Sequence, residues 1–158
     1  MKVLVFSDAH GTTSGMETAI ELHPDARHIL FLGDGVRQVE NLSYCYPDIT
    51  FTLLSGNCDF SSEHPCEKTL TIGGVRLFAC HGHTLMVKSG LGPAISRAVA
   101  EGAKVLLYGH THVPYCEYRD GIYLLNPGSI GQPRTSSKRE YGLLEISEKG
   151  ILPSLATL

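Results

Sequence analysis

The stretch VLLYGHTHVP, residues 105–114, carries an apolar run, Val105-Leu106-Leu107, directly into two histidines, His110 and His112, separated by one threonine. Gly109 stands before the first imidazole and Pro114 closes the stretch. An apolar run of this length, bounded by turn residues, reads as a buried strand. A strand that exits into H-x-H is either a polar turn or part of a metal site. One pair does not decide between them, so the other strand ends must.

Four more apolar runs end the same way. Lys2 to Phe6 is followed by Asp8-Ala9-His10, His28 to Leu32 by Gly33-Asp34, Ile49 to Leu54 by Gly56-Asn57, and Val75 to Cys80 by His81-Gly82-His83. Singly, D-x-H, G-D and G-N are ordinary turn chemistry. Together, in order, and each at a strand end, they are hard to produce by turns alone. Ligand sites of open α/β sheets gather outside the carboxyl ends of the strands. The adjoining glycines let the backbone swing sharply and approach its neighbours closely. A mixture of carboxylate, amide oxygen and imidazole suits Mn²⁺, Fe²⁺, Zn²⁺ or Co²⁺, and it is unlike a closed structural zinc site rich in thiolates. So many ligands exceed the needs of one ion and suffice for two that share a carboxylate. His23, His28 and His64 serve as a control. Two of them precede a proline and one opens a strand, so all three are assigned to structure or surface.

Between the strands, Ser14 to Leu22 keeps helical apolar spacing through Met16, Ala19 and Ile20, with Thr13 or Ser14 as N-cap. Val36 to Tyr46 is a second helix stopped by Pro47, and Pro93 to Glu101 a third, with Gly102 just past its end. Gly73-Gly74 joins Glu67–Ile72 to Val75–Cys80, and Asp120-Gly121 joins Tyr115–Arg119 to Ile122–Leu125; both are two-residue hairpin signals. Tyr141–Ser147 and Ile151–Leu155 read as a closing pair. Strand–helix alternation followed by hairpins predicts an α/β fold, built on two sheets or one large mixed sheet with helices on the outer faces.

A chain of 158 residues is expected to form one domain, residues 1–158. Its 42% hydrophobic and 18% charged residues place it among globular proteins. The net charge of -3 disfavours a nucleic-acid backbone as partner. A small phosphate ester stays open, because bound metal ions supply their own positive charge. The five cysteines, Cys45, Cys58, Cys66, Cys80 and Cys116, are odd in number and lack C-x-x-C spacing; they are expected to be reduced and mostly to fill the core. With no long apolar run and no leader-like start, no membrane association is expected, and a cytoplasmic location is.

D-x-H, G-D, G-N-C-D, H-G-H and G-H-T-H, followed by N-P-G-S, resemble the calcineurin-like metallophosphoesterase superfamily, and within it the small prokaryotic YfcE-like phosphodiesterases. The resemblance runs from Met1 to about Arg134. It implies an α-β-β-α sandwich of two mixed β-sheets flanked by helices. It also implies that Asp8, His10 and His112 hold one metal, that Asn57, His81 and His110 hold the other, and that Asp34 bridges them. Mn²⁺ is the expected ion, with Ni²⁺, Co²⁺, Fe²⁺ or Zn²⁺ as alternatives. Side chains two apart on a strand share a face, which would let His110 and His112 enter one site.

The implied reaction is hydrolysis of a small phosphate ester, most naturally a diester, by a hydroxide generated between two divalent ions. Asn57 and His81 are counted among the catalytic candidates. Many superfamily members carry histidine after the G-N asparagine, placed to protonate the leaving group; here Cys58 stands there, a poor match for a general acid. Asp59 is read either as orienting a ligand imidazole or as closing a turn. His83 is expected to line the substrate pocket. Asn126, Gly128 and Ser129 are expected to turn beside Asp8. Arg134 would meet either a phosphate or a neighbouring subunit in a dimer or tetramer. The rival class is a non-catalytic scaffold on the same fold, as the retromer subunit that resembles this family is thought to be. Scaffolds tend to lose ligands, whereas all seven positions are filled here. A nuclease acting on long chains fits the acidic balance less well.

Overall fold

The computed structural model describes residues 1–134 and 138–158. Sheet A has the order β10-β9-β1-β2-β3, from β1 (Lys2–Phe6), β2 (His28–Phe31), β3 (Thr50–Leu53), β9 (Glu140–Ser147) and β10 (Gly150–Thr157). Sheet B has the order β4-β5-β6-β8-β7, from β4 (Glu67–Ile72), β5 (Val75–Cys80), β6 (Val105–Tyr108), β7 (Tyr115–Arg119) and β8 (Ile122–Asn126). In sheet A, β1, β2 and β3 run parallel, and in sheet B, β5, β6 and β8 do. Their neighbours β9, β4 and β7 pair with them antiparallel, and β10 pairs antiparallel with β9. Both sheets are therefore mixed.

Three apolar layers follow from alternation along these strands. Val3, Val5, Leu30 and Leu32 from sheet A meet Leu77, Ala79, Val105 and Leu107 from sheet B in the central layer. The opposite faces of β1 and β2, Leu4, Phe6, Ile29 and Phe31, pack on Met16 and Ile20 of α1 (Ser14–Leu22) and Val39 of α2 (Val36–Ser43). Phe78 and Leu106 pack on Ala94 and Ala98 of α3 (Gly92–Ala100). The small alanines let α3 lie close to its sheet. The result is the expected α-β-β-α sandwich of two mixed sheets, with three helices outside. Among the described residues, no helix is long and apolar enough to cross a membrane.

Three local expectations need correction. The second helix ends at Ser43 rather than Tyr46, because its exit tightens into i→i+3 turns, Cys45 N–H to Leu42 O at 2.9 Å and Tyr46 N–H to Ser43 O at 3.1 Å. Thr13 occupies the N-cap of α1 but makes no side-chain cap bond; its hydroxyl donates instead to Glu17 Oε1 at 2.8 Å. The cysteines are all free, yet only Cys80 is buried, and Cys45, Cys58 and Cys116 are exposed. Cys45 lies beyond the end of α2, and Cys116 faces outward on the edge strand β7, so neither fills the core.

Candidate metal centre

The parallel strands of both sheets deliver their exits to one place. Asp8 N–H donates to Gly33 O at 2.9 Å, His10 N–H to Asp34 O at 2.9 Å, and Gly109 N–H to His81 O at 3.0 Å. His110 N–H crosses between the sheets to Asp8 Oδ2 at 3.0 Å. The approach is so close that a Cβ on Gly56 would lie 2.1 Å from Asp34 Oδ1, and one on Gly109 would lie 1.9 Å from Ser7 Oγ.

Side chains from these exits form two clusters. Asp8, His10 and His112 bring ligand atoms within 4.8 Å of one another, and so do Asp34, His81 and His110. In the first, His112 Nε2 is 3.1 Å from Asp8 Oδ1 and 3.1 Å from His10 Nε2. In the second, His81 Nε2 is 3.6 Å from Asp34 Oδ2 and 3.1 Å from Asn57 Oδ1, and the His81 and His110 rings lie 5.0 Å apart. Asp34 Oδ2 also stands 3.9 Å from His10 Nε2, so one carboxylate oxygen faces both clusters. The seven residues expected to bind metal are thus brought together, with Asp34 between the halves.

The backbone is bent to achieve this. Asp8, His10, Asp34, His110 and His112 all have positive φ, between 45° and 68°. Left-handed conformation in non-glycine residues is uncommon, and its clustering marks a functional site. It also corrects one expectation. His110 and His112 lie beyond the end of β6, so alternation along a strand does not aim them. Their left-handed turns do, and they send the two imidazoles into different clusters.

The imidazole tautomers are set from behind. His81 Nδ1 donates to Leu32 O at 2.8 Å and His112 Nδ1 to Gln132 O at 2.8 Å, which leaves each Nε2 lone pair facing the cluster. Leu32 and Gln132 act through backbone carbonyls, so no residue type in the sequence could announce them. Burial pushes the Asp8 carboxyl up, but its contacts with His112 and His81 outweigh this and hold it below the ordinary value. The Asp8 carboxylate in turn raises His112. His110 moves the other way, to about 4, through burial and the neighbouring His81.

The remaining candidates differ in how they stand to this centre. Asp59 does not touch an imidazole. Its carboxylate accepts four backbone N–H groups, from Asp34 at 2.7 Å, Gly35 at 2.7 Å, Val36 at 2.9 Å and Gly56 at 2.8 Å. It therefore clamps the Asp34 turn to the Gly56 turn and places an anion at the start of α2, where the helix dipole favours one. Cys58 N–H donates to Asp34 Oδ1 at 2.8 Å, and its thiol lies within 4.8 Å of the ligand atoms of His10 and Asp34. Burial and Asp34 push that thiol above its usual range, so it is protonated at neutral pH. The half-buried His83 has its ring 5.3 Å from that of His81. Arg134 is exposed, and its charge disfavours a proton on His112. Ser129 Oγ donates to Asp8 O at 2.7 Å, and Asn126 Nδ2 donates to Gly109 O at 3.2 Å, so the Asn126–Ser129 turn braces two ligand-bearing exits. The control histidines lie elsewhere: His23 pairs with the Tyr141 hydroxyl at 3.0 Å and His64 with Glu40 at 3.4 Å.

Acceptor atoms aimed at common points, with few donors to satisfy them, are what a cation site requires. Asp8 Oδ1 is buried without a hydrogen bond, with His112 Nε2 at 3.1 Å and His10 Nε2 at 3.8 Å beside it. Such an atom is costly unless a cation meets it. The donor set therefore fits divalent metal, and sandwich and site together define a metal-dependent phosphoesterase class of centre. The chain belongs to the calcineurin-like phosphoesterase superfamily, whose domain model matches residues 1–149.

Two curated relatives resemble most of the chain. It is 32% identical over 147 residues to the probable metallophosphoesterase YsnB of Bacillus subtilis, covering 92% of this chain and 85% of that one. It is 31% identical to the phosphodiesterase YfcE of Escherichia coli K12, covering 92% of this chain and 88% of that one. Among solved structures, a Streptococcus pneumoniae TIGR4 protein termed a predicted phosphoesterase superposes with a TM-score of 0.84 at 27% identity, over 99% of this chain and 88% of that one.

Proposed function

We propose that the protein hydrolyses a small phosphodiester at a centre of two divalent cations, with Mn²⁺ the favoured ion. One observation carries the reading: Asp34 Oδ2 faces His10 of one cluster and His81 of the other. Asp8, His10 and His112 would hold one ion, Asn57, His81 and His110 the second, and Asp34 both. When bound, the ions supply the charge that makes water acidic near neutral pH and offsets the charge growing on the phosphoryl oxygens. The chain's own residues do the rest. Leu32 O and Gln132 O keep the Nε2 lone pairs of His81 and His112 turned inward. Asp59 fixes the carboxylate-bearing turn. Cys58, protonated beside Asp34, is a weak proton donor next to the centre.

The diester preference is supported by the 31% identity to YfcE, a named phosphodiesterase. A scaffold without catalysis would not need an intact ligand set or carbonyls that fix imidazole tautomers. The deciding experiment is the activity of Mn²⁺-reconstituted protein across phosphomonoesters and diesters. Hydrolysis of diesters in preference to monoesters supports the reading. Absence of turnover on both, with metal bound, returns the scaffold.

A further inference from the structure

An open cleft of about 800 Å³ begins where the metal centre ends, with Cys58 and Asp59 in its wall. Its other walls come from the first turns of α2, including Arg37 and Gln38, and from the loop carrying Phe60. This volume lies within the range of small-molecule sites. Cys58 belongs to both regions, since its thiol is within 4.8 Å of the His10 and Asp34 ligand atoms.

Phe60 is 88% exposed. A solitary exposed phenylalanine needs no explanation by itself. This one is held in position from both sides. Before it, the Asp59 carboxylate is locked by backbone N–H groups; after it, Ser62 Oγ receives the Ser55 hydroxyl at 2.7 Å. Between them Ser61 takes a left-handed φ of 61°. The loop thus holds an apolar ring in water beside a reaction centre, where it contributes little to the core. Among the described residues, the side chains of Arg37 and Gln38 form no hydrogen bond or ion pair, so their donors, and the Gln38 amide oxygen, are free.

We infer that this cleft is the subsite for one organic substituent of the phosphate ester, and that the substituent is nucleoside-like: a planar ring stacking on Phe60, its polar edge read by Arg37 and Gln38. A plain alkyl group would use neither the ring nor the free polar side chains, and a simple phenyl group would leave the polar ones idle. The inference rests on the phosphate being seated at the proposed metal pair.

The test is calorimetric titration of the Mn²⁺-loaded protein with AMP and with ribose 5-phosphate, with phosphate release monitored to detect turnover. The two ligands share the sugar phosphate and differ in the base. AMP is expected to bind roughly tenfold tighter or more, the scale of one base stacked on an aromatic side chain. Phe60→Ala should bring AMP to the level of ribose 5-phosphate, and Phe60→Tyr should keep the gap. Equal affinities in the native protein, or a gap that survives Phe60→Ala, overturn the subsite. The readout is binding, so the two readings fail separately. Diester hydrolysis with equal affinities removes the subsite alone, whereas base-dependent binding without turnover of any ester removes the catalytic reading alone.

Discussion

The Nε2 atoms of His10 and His112 face each other across 3.1 Å. His112 has already committed its Nδ1 proton to Gln132 O, so its Nε2 is free to accept a cation or a proton. Asp8 Oδ1 stands 3.1 Å away from the same nitrogen. In the metal-free protein a proton is drawn to this point; a divalent ion would replace it. The other cluster has the opposite bias, because burial and His81 disfavour a proton on His110.

A pH titration of the metal-free protein, followed by imidazole NMR, should separate the two histidines. His110 is expected to stay neutral until the pH falls to about 4, whereas His112 should stay protonated above the ordinary histidine value of 6.5. The linkage signs are opposite. Above pH 6.5, His110 is neutral whether folded or unfolded. As the pH falls from there toward 4, only the unfolded chain takes up its proton, so its contribution to stability is lost. His112 stabilises the fold below 6.5 and loses that contribution as pH rises through its folded value. Coincident titrations of the two would refute this electrostatic asymmetry.

Asp34→Asn should reduce turnover more than any other single ligand change, by on the order of 10³-fold. The amide keeps the shape but loses the charge facing both clusters, and one of its two groups is now a donor. His23→Ala is the control, since that imidazole pairs with the Tyr141 hydroxyl outside the clusters. Near-normal kcat in Asp34→Asn, with loss in His23→Ala, would show that the ligands are misassigned.

Asp59→Asn should destabilise the protein by on the order of 3 kcal/mol in urea unfolding, because charge-assisted hydrogen bonds are lost and one amide N–H₂ now confronts backbone donors. Four N–H groups depend on that carboxylate. Metal affinity should weaken with it, since the Asp34 turn is among them. An unchanged unfolding midpoint would mean that the clamp is dispensable.

Cys58 leads to a kinetic expectation. A thiol raised above its usual range is a weak proton donor, so the rate should fall steeply as the leaving group becomes more basic. Cys58→Ser should cost little, and Cys58→His should raise the rate on poor leaving groups by up to ~10²-fold. The measurement is log kcat against leaving-group pKa for the three proteins. A flat native plot, with chemistry rate-limiting, would reveal a competent acid that this account lacks.

The fold was legible because each strand announces its own exit. Lys2–Phe6 and Val75–Cys80 stand at their expected bounds, and the glycine hairpin turns after Ile72 and Arg119 give the expected pairing. The seven convergent side chains were legible for the same reason, as chemistry placed at successive strand ends. What stayed hidden acts through backbone or through long-range closure. The carbonyls of Leu32 and Gln132 carry no residue-type signal. The role of Asp59 depends on two turns 22 residues apart, at Asp34 and Gly56, meeting in space. The positive φ of His110 and His112 lies beyond the strand and outside the apolar pattern that marks it. Phe60 draws no attention in the sequence, because its significance lies in which groups surround it.

The proposed centre needs two cations acting together on one phosphoryl group. The measurement is stepwise addition of Mn²⁺ to the metal-free protein, with bound metal and hydrolysis of bis(4-nitrophenyl) phosphate followed in the same samples. Activity should reach its plateau only near about two ions per chain, and Asp34→Asn should fail to reach it at any metal concentration. Full activity at one bound ion, or two bound ions with no hydrolysis, would contradict the two-cation centre.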